Sequence, residues 1–167
     1  MTETKTLDIL KGAILLEHRG KALYESVVKT AESEGVKELF SMLSQEEEKH
    51  IGVLEKQFSR VVKGESFDIS ELDKEHASTH EAIITREIVK NISGAGYEAA
   101  VIAAALEFEK NAVKFYSEHT STAESEQEKK LYNWLTEWEK NHMMMMARLD
   151  NELKEKIWYD NQFWPLD

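Results

Sequence analysis

Two short motifs pair a glutamate with a histidine three residues further along the chain. Glu47 precedes His50, and the same arrangement returns 92 residues later as Glu139 and His142. Residues three apart on an α-helix share one face, with a rise of roughly 4.5 Å between them, so each pair could bind one metal ion. Mixed carboxylate and imidazole ligands suit iron or manganese, whereas carboxylates alone would suit magnesium or calcium.

The same offset of 92 residues relates an upstream glutamate, an upstream tyrosine and a tetrapeptide of identical sequence. These are Glu17 and Glu109, Tyr24 and Tyr116, and residues 31–34 and 123–126. A single Glu-x-x-His arises easily by chance in a glutamate-rich chain, but a repeat that retains three further features does not. The chain is therefore interpreted as a duplicated helix pair with metal-binding side chains in each half.

The composition indicates a single globular domain spanning residues 1–167. Hydrophobic residues make up 41% of the chain and charged residues 32%, which allows a sizeable core and excludes wholesale disorder. The only proline is Pro165, so the preceding sequence lacks a strong helix breaker and favours an all-α fold. The absence of cysteine excludes disulfides, thiolate metal sites and a cysteine nucleophile.

The charge and the apolar runs limit the partners that we expect. A net charge of −11 opposes nucleic-acid binding, because phosphate contacts need clustered lysine and arginine. The N-terminal sequence leads into a charged amphipathic helix rather than a signal peptide, and apolar runs such as residues 99–106 are too short for a membrane span. We expect a cytoplasmic protein with no nucleic-acid or membrane partner.

Apolar residues recur with a helical period in four long segments. These are residues 4–30, residues 36–62, residues 97–120 and a last segment that ends at about residue 157. The connection at 31–35 is short, which makes the first two helices antiparallel, and Ser125-x-x-Glu128 has the form of a capping box before the fourth helix. The predicted fold is a four-helix bundle built from two helix pairs, 4–62 and 97–157.

Two further segments complete the predicted chain. A crossover, residues 63–96, connects the second and third helices, and an aromatic tail spans residues 158–167. We expect the crossover to travel the length of the bundle. Its apolar residues predict a short amphipathic helix: Ile83, Ile84, Ile88, Val89 and Ile92. Polar residues without a counterpart in the repeat are interpreted as surface residues: Asp73, His76 and His80. The tail holds too many aromatic side chains to remain solvated and is expected to pack on the bundle or on a second subunit: Trp158, Tyr159, Phe163 and Trp164.

The spacing within each half predicts that the two sets of side chains meet. Glu17 lies 30 residues before Glu47, and Glu109 lies 30 residues before Glu139. Along antiparallel helices joined by a short loop, equal separation places each set at the same depth in the bundle. Four carboxylates buried together would cost many kcal/mol unless they were protonated or neutralised. Two divalent ions supply four positive charges, so the sequence predicts a two-metal site.

Neighbouring glutamates compete with two of the proposed ligands. Glu46 could replace Glu47 by pairing with His50 four residues later, but the residue at the equivalent position of the second half is Trp138, so Glu47 is preferred. Glu107 is the competitor on the third helix, but it would break the 30-residue spacing. The remaining alternative for all six residues is solvated charge on amphipathic helices, which leaves the shared register unexplained.

In this arrangement the sequence resembles the ferritin-like di-iron carboxylate bundles, and among them the di-iron domain of rubrerythrins, over residues 4–157. The resemblance implies that six residues bind two iron ions, with manganese as the alternative metal: Glu17, Glu47, His50, Glu109, Glu139 and His142. It also implies that Glu47 and Glu139 bridge the two ions. Tyr24 and Tyr116 would then assist catalysis as hydrogen-bond partners of ligand carboxylates, although an ordinary core role accounts for them equally well.

The resemblance implies a homodimeric oxidoreductase active in oxidative stress, in which a ferrous pair reduces hydrogen peroxide or dioxygen. A paired-cysteine rubredoxin segment is missing, so the electron donor would be a separate protein. Rubrerythrins carry an extra glutamate where this chain has Ala112, whose counterpart in the first half is Gly20, so the mechanism that moves an iron to that glutamate is not expected. Those two small residues either leave room for the oxidant or allow close helix packing.

The six-residue ligand set is closer to that of bacterioferritin, although Glu48 replaces the methionine that binds haem there, so no haem site is expected. The alternative function is therefore a ferroxidase and iron-storage protein of ferritin type.

Overall fold

The computed structural model describes residues 2–70, 72, 88–93 and 96–160, and this part of the chain contains helices and connections but no strand. The four long helices are α1 (Thr2–Thr30), α2 (Glu34–Val62), α3 (Tyr97–Thr122) and α4 (Glu126–Asp160). The predicted all-α, ferritin-like helical bundle is confirmed.

The repeated tetrapeptide supplies the N-terminal cap of the second helix in each pair. Ser33 caps α2, where its hydroxyl accepts a hydrogen bond from the Val36 amide at 3.4 Å. Ser125 does the same for α4, accepting from the Glu128 amide at 3.1 Å. A serine side chain at this position satisfies an amide that the helix leaves unpaired, typically worth about 1 kcal/mol. The duplicated caps start both helices at the same register relative to their metal-binding motifs.

The bundle consists of two helix pairs whose apolar faces form two clusters. α1 packs along α2, α3 packs along α4, and α1 also contacts α3. One cluster is built from residues such as Val27, Leu39, Ile102 and Leu149. The other is built from residues such as Leu10, Leu54, Leu131 and Leu135. On each helix the predicted ligands lie between the residues of these two clusters, so the apolar core closes the centre from both ends.

The start of the crossover is tied to α2 by a reciprocal pair of hydrogen bonds. The Gln57 amide nitrogen donates to the Asp68 carbonyl at 2.8 Å, and the Asp68 amide donates to the Gln57 side-chain oxygen at 2.8 Å. Further along, residues 88–91 are helical, and Ile88 and Ile92 are buried. The other residues that we assigned inside the crossover lie outside the described part of the chain: Asp73, His76, His80, Ile83 and Ile84.

Four consecutive methionines of α4, residues 143–146, turn around the helix. Met145 and Met146 are buried and fill the core, whereas Met144 is 59% exposed. Trp158 and Tyr159 are 50% and 72% exposed, and the other tail aromatics, Phe163 and Trp164, lie outside the described residues. Packing of the tail on the bundle or on a second subunit therefore stays a prediction.

None of the helices in the described part of the chain combines the length and apolar character that crossing a membrane requires.

Candidate metal centre

The six predicted ligands meet in the middle of the bundle. Each helix delivers its share at the same depth: α1 and α3 each supply one glutamate, and α2 and α4 each supply a Glu-x-x-His pair. All six side chains are at most 2% exposed: Glu17, Glu47, His50, Glu109, Glu139 and His142. The alternative interpretation as solvated surface charge is therefore wrong.

The six residues form two overlapping groups of four. The first group consists of Glu17, Glu47, His50 and Glu139. The second group shares Glu47 and Glu139 with the first and adds Glu109 and His142. Within each group the potential ligand atoms lie within 4.8 Å of one another. Each group offers three carboxylates and one imidazole. Two residues are common to both groups, which is the arrangement that two ions with bridging carboxylates require.

His50 faces the centre through its Nδ1 atom. That atom lies 3.1 Å from Glu139 Oε1, 3.2 Å from Glu17 Oε2 and 3.3 Å from Glu47 Oε2. A neutral imidazole binds a metal through the nitrogen that carries no proton. The ring is therefore oriented to offer Nδ1 to an ion lying among these three carboxylates.

His142 mirrors this arrangement in the second group and also contacts a glutamate that we had not assigned to it. Its Nδ1 lies 3.5 Å from Glu139 Oε2, 3.6 Å from Glu109 Oε1 and 3.7 Å from Glu47 Oε1. Its Nε2 lies 2.5 Å from Glu46 Oε2. Glu46, considered above as a competitor of Glu47 for pairing with His50, instead contacts the histidine of the other helix pair.

In the protein without metal, burial and neighbouring charges shift the pKa values of several of these groups. Burial, followed by the charge of Glu139, raises the pKa of Glu109 to about 8. Burial alone would lower the pKa of His50, but the charge of Glu17 and the close contacts with Glu139 and Glu17 raise it to about 10. Burial would raise the pKa of Glu139, but its close contacts with His142 and His50 hold that pKa below its usual value. The centre therefore favours bound positive charge, either as protons or as metal ions.

Several buried polar atoms at the centre lack a hydrogen-bond partner among the described residues. They are Glu47 Oε1, Glu109 Oε2, both carboxylate oxygens of Glu139, and His142 Nδ1. An unsatisfied buried polar atom costs roughly 1–3 kcal/mol, so a cluster of them indicates a missing ligand. Four carboxylates balance the charge of two divalent cations, and oxygen and imidazole donors suit iron or manganese. The residues present therefore fit a pair of such ions.

The two predicted tyrosines each hold a glutamate of the opposite helix pair. The Tyr24 hydroxyl on α1 donates a hydrogen bond to Glu109 Oε1, and the Tyr116 hydroxyl on α3 donates to Glu17 Oε1. Burial, followed by the charge of the partner glutamate, raises the pKa of both phenols, so they remain protonated donors. Each bond holds a carboxylate that belongs to one of the two ligand groups.

Aromatic rings lie next to residues of the centre. Trp134 and Trp138 lie edge-to-face against His50, with ring centroids 5.6 and 5.5 Å away. A Cβ atom placed on Gly20 would lie 2.7 Å from the Phe108 ring and 3.6 Å from the Glu47 carboxyl carbon. Of the two explanations for Gly20 given above, close helix packing is therefore the one that the structure supports. The sequence signal for these rings was weak, because aromatic residues on an amphipathic helix are ordinary core residues.

Comparisons with known proteins agree with this geometry. The sequence model of the rubrerythrin family matches residues 8–150. Among solved structures, a hypothetical protein from Pyrococcus furiosus is similar, with a TM-score of 0.63 and 21% sequence identity over 90% of each chain, which supports the fold alone. No curated protein matches the chain. Since the family match includes most of each of the four helices and every residue of the centre, the chain belongs to the rubrerythrin family.

Proposed function

We propose that this protein is a di-iron oxidoreductase that reduces hydrogen peroxide or dioxygen with electrons from a separate donor protein. The observation that carries the proposal is that Glu47 and Glu139 belong to both ligand groups. Two independent sites would not share carboxylates, and a single structural ion would not need six ligands from four helices. Membership of the rubrerythrin family supports a di-iron centre over other two-metal chemistry.

When bound by these residues, a ferrous pair would supply two electrons, one from each ion, which with two protons would reduce one hydrogen peroxide to two waters. Glu47 and Glu139 hold the two positions close together, and His50 and His142 complete the ligand sets without adding charge. The protein keeps this site preformed, because the helices that carry the ligands are held by apolar clusters on both sides.

The remaining residues of the centre orient the ligands and limit access. Tyr24 and Tyr116 each hold one ligand carboxylate, Glu109 and Glu17 respectively, by a hydrogen bond to one of its oxygens. Phe108 packs against the helix that carries Glu17 and fills the space next to Gly20. The ligands are almost fully buried, which favours an oxidant as small as peroxide or dioxygen over an organic substrate.

Stopped-flow mixing of the ferrous protein with each oxidant tests this function. We expect rapid oxidation of two irons per chain by hydrogen peroxide or dioxygen, followed by re-reduction when a one-electron donor protein is added. Glu47→Gln, which alters both ligand groups, should abolish the rapid phase. Matched Glu55→Gln, on an exposed position of the same helix, should leave it unchanged. An iron pair that neither oxidant oxidises would leave a structural role for the metal.

Ferroxidation followed by iron storage is the second candidate function. The observation that favours it is Ala112, which is buried at the position where rubrerythrins have an additional glutamate. The same stopped-flow experiment separates the two functions when it is continued with excess Fe²⁺ and combined with light scattering. Oxidation of many irons per chain in a large hollow oligomer indicates storage, whereas oxidation that stops at two per chain in a dimer indicates the oxidoreductase. Metal analysis of protein from its native host distinguishes iron from manganese.

A further inference from the structure

The duplication that builds the metal centre is broken at the residue before each Glu-x-x-His motif. Glu46 precedes the motif of α2, whereas the equivalent residue of α4 is Trp138. The ligands themselves are matched, since each group contains three carboxylates and one histidine. The tyrosine hydrogen bonds are matched as well. A difference between the two ion positions must therefore come from residues behind the ligands.

Glu46 stands directly behind His142. Its Oε2 atom lies 2.5 Å from Nε2, while Nδ1 on the other side of the ring faces three carboxylates of the centre. When Nδ1 binds an ion, Nε2 carries the proton and donates a hydrogen bond to Glu46. A carboxylate in this position fixes the ring orientation and makes the imidazole a stronger ligand. The Glu46 side chain is only 16% exposed, so water screens this contact weakly.

The residue at the equivalent position behind His50 cannot play this role. Trp138 presents an indole, which has one N–H donor and no acceptor, so it cannot accept a proton from an imidazole. Its ring lies edge-to-face against His50 at 5.5 Å, and Trp134 lies against the same imidazole at 5.6 Å. Trp138 also lies edge-to-face against His142, at 6.2 Å, but among the described residues His142 alone of the two imidazoles has the Glu46 carboxylate in contact with its Nε2 atom.

From this asymmetry we infer that the two metal positions are unequal, and that the ion bound by His142 binds first and more tightly because Glu46 positions its histidine. Glu46 is a positioning residue, since it acts through His142 and does not belong to either ligand group. The inference rests on the two-ion centre proposed above. Residues behind a metal ligand typically change affinity 10–100-fold, so we expect the two positions to differ at least about tenfold.

Titration with Co²⁺ tests the inference without reference to activity, because cobalt reports binding through its visible absorption. The full-length protein should take up two ions per chain in two resolved steps. Glu46→Gln keeps the size of the side chain but removes its charge, and should weaken the first step about tenfold or more until the steps merge. Glu48→Gln is the matched control, because Glu48 lies on the same helix but is 59% exposed and pairs with Lys21. It should leave both steps unchanged.

Single-site backgrounds assign the effect to one position. His50→Ala retains only the His142 position, and His142→Ala retains only the His50 position. The ion in His50→Ala should bind at least about tenfold more tightly than the ion in His142→Ala. Adding Glu46→Gln should remove this advantage in the first background and change the second less than twofold. A merely structural role of Glu46 would weaken both backgrounds alike.

The outcomes separate the inference from the function on which it rests. Two equal Co²⁺ ions in the unaltered protein, or equal weakening of both backgrounds by Glu46→Gln, would overturn the inference and leave the two-metal centre intact. Failure of the unaltered protein to bind two ions at all would overturn the two-metal centre and the inference with it. Trp138→Phe keeps an aromatic ring without the N–H and should preserve the two-step titration.

Discussion

Replacement of Glu139 by glutamine should remove both metal ions while the helical bundle stays folded. Glu139 is shared by the two ligand groups, and its two oxygens face different histidines. Oε1 lies 3.1 Å from His50 Nδ1, and Oε2 lies 3.5 Å from His142 Nδ1. Glutamine has the same shape, so the substitution creates no cavity. It leaves three carboxylates to balance two divalent ions and replaces one charged ligand of each ion by a neutral amide.

The size of the effect follows from the linkage between metal binding and folding. An ion present at 100 times its dissociation constant stabilises the folded state by about 2.7 kcal/mol, so two ions contribute roughly 5 kcal/mol. For a chain of this length, 1 kcal/mol corresponds to roughly 2–4 °C in Tm, so metal should raise the Tm of the unaltered protein by roughly 10–20 °C. For Glu139→Gln we expect a rise of less than about 3 °C, equivalent to about 1 kcal/mol or less of metal-linked stability.

Differential scanning calorimetry with and without Fe²⁺ under anaerobic conditions measures this gain, and metal analysis of the same samples counts the ions. Glu17→Gln alters only the group that contains His50, so it should keep one ion and about half of the gain. Glu128→Gln is a control for replacing a buried acid, because Glu128 is 3% exposed and bonds Tyr132 away from the centre. It should keep the full metal-dependent gain. If Glu139→Gln retained two ions and the full gain, the shared-ligand geometry would be refuted.

Three further predictions use other parts of the centre. The folded metal-free protein holds more protons than the unfolded chain, because the pKa of His50 is raised from 6.5 to about 10 and that of Glu109 from 4.5 to about 8. The stability that these protons provide is lost as pH rises, so calorimetry should show that the Tm of the metal-free protein falls between pH 6 and 9. Over the same range, the increase in Tm caused by metal should become larger. A metal-free Tm that rises with pH would contradict the pKa directions. Tyr24→Phe removes the hydrogen bond to Glu109 and should weaken Co²⁺ binding about tenfold or more in a titration. An unchanged Co²⁺ affinity would contradict this role of Tyr24. Gly20→Ala places a Cβ 2.7 Å from the Phe108 ring and should lower the free energy of unfolding by about 1–3 kcal/mol in urea titrations. Adding Phe108→Leu should restore part of the lost free energy of unfolding. Equal stability of Gly20→Ala and the unaltered protein would contradict the packing.

The helices and the convergence of the ligands were predictable from the sequence because both depend on periodicity. The apolar period predicted the four helices, and the Ser125-x-x-Glu128 pattern predicted the start of α4, so the observed ends lie within about four residues of those predicted. Equal 30-residue separations then placed Glu17 opposite Glu47 and Glu109 opposite Glu139. The depth of each ligand along the bundle depends on its distance along the chain, so a small error in the predicted rotation of a helix does not change it.

The partners of Glu46 and Gly20 were not predictable for a physical reason. Glu46 is spaced correctly for His50 on its own helix, but its side chain reaches His142 on α4. Which of the two histidines it meets depends on the rotation of α2 about its axis, which a hydrophobic period fixes only coarsely. Similarly, the sequence shows that Gly20 is small but not that Phe108 fills the space beside it. The roles assigned to crossover residues 73–87 and to residues 161–167 stay predictions.

Crystallography with anomalous scattering at the iron edge, on protein loaded with Fe²⁺, tests the two-metal centre most directly. We expect two anomalous peaks in the middle of the bundle, roughly 3.5–4 Å apart, each within bonding distance of both Glu47 and Glu139. One peak should also contact His50 and the other His142. A map with a single peak at the centre, or with iron bound only at the protein surface, would contradict the two-metal centre.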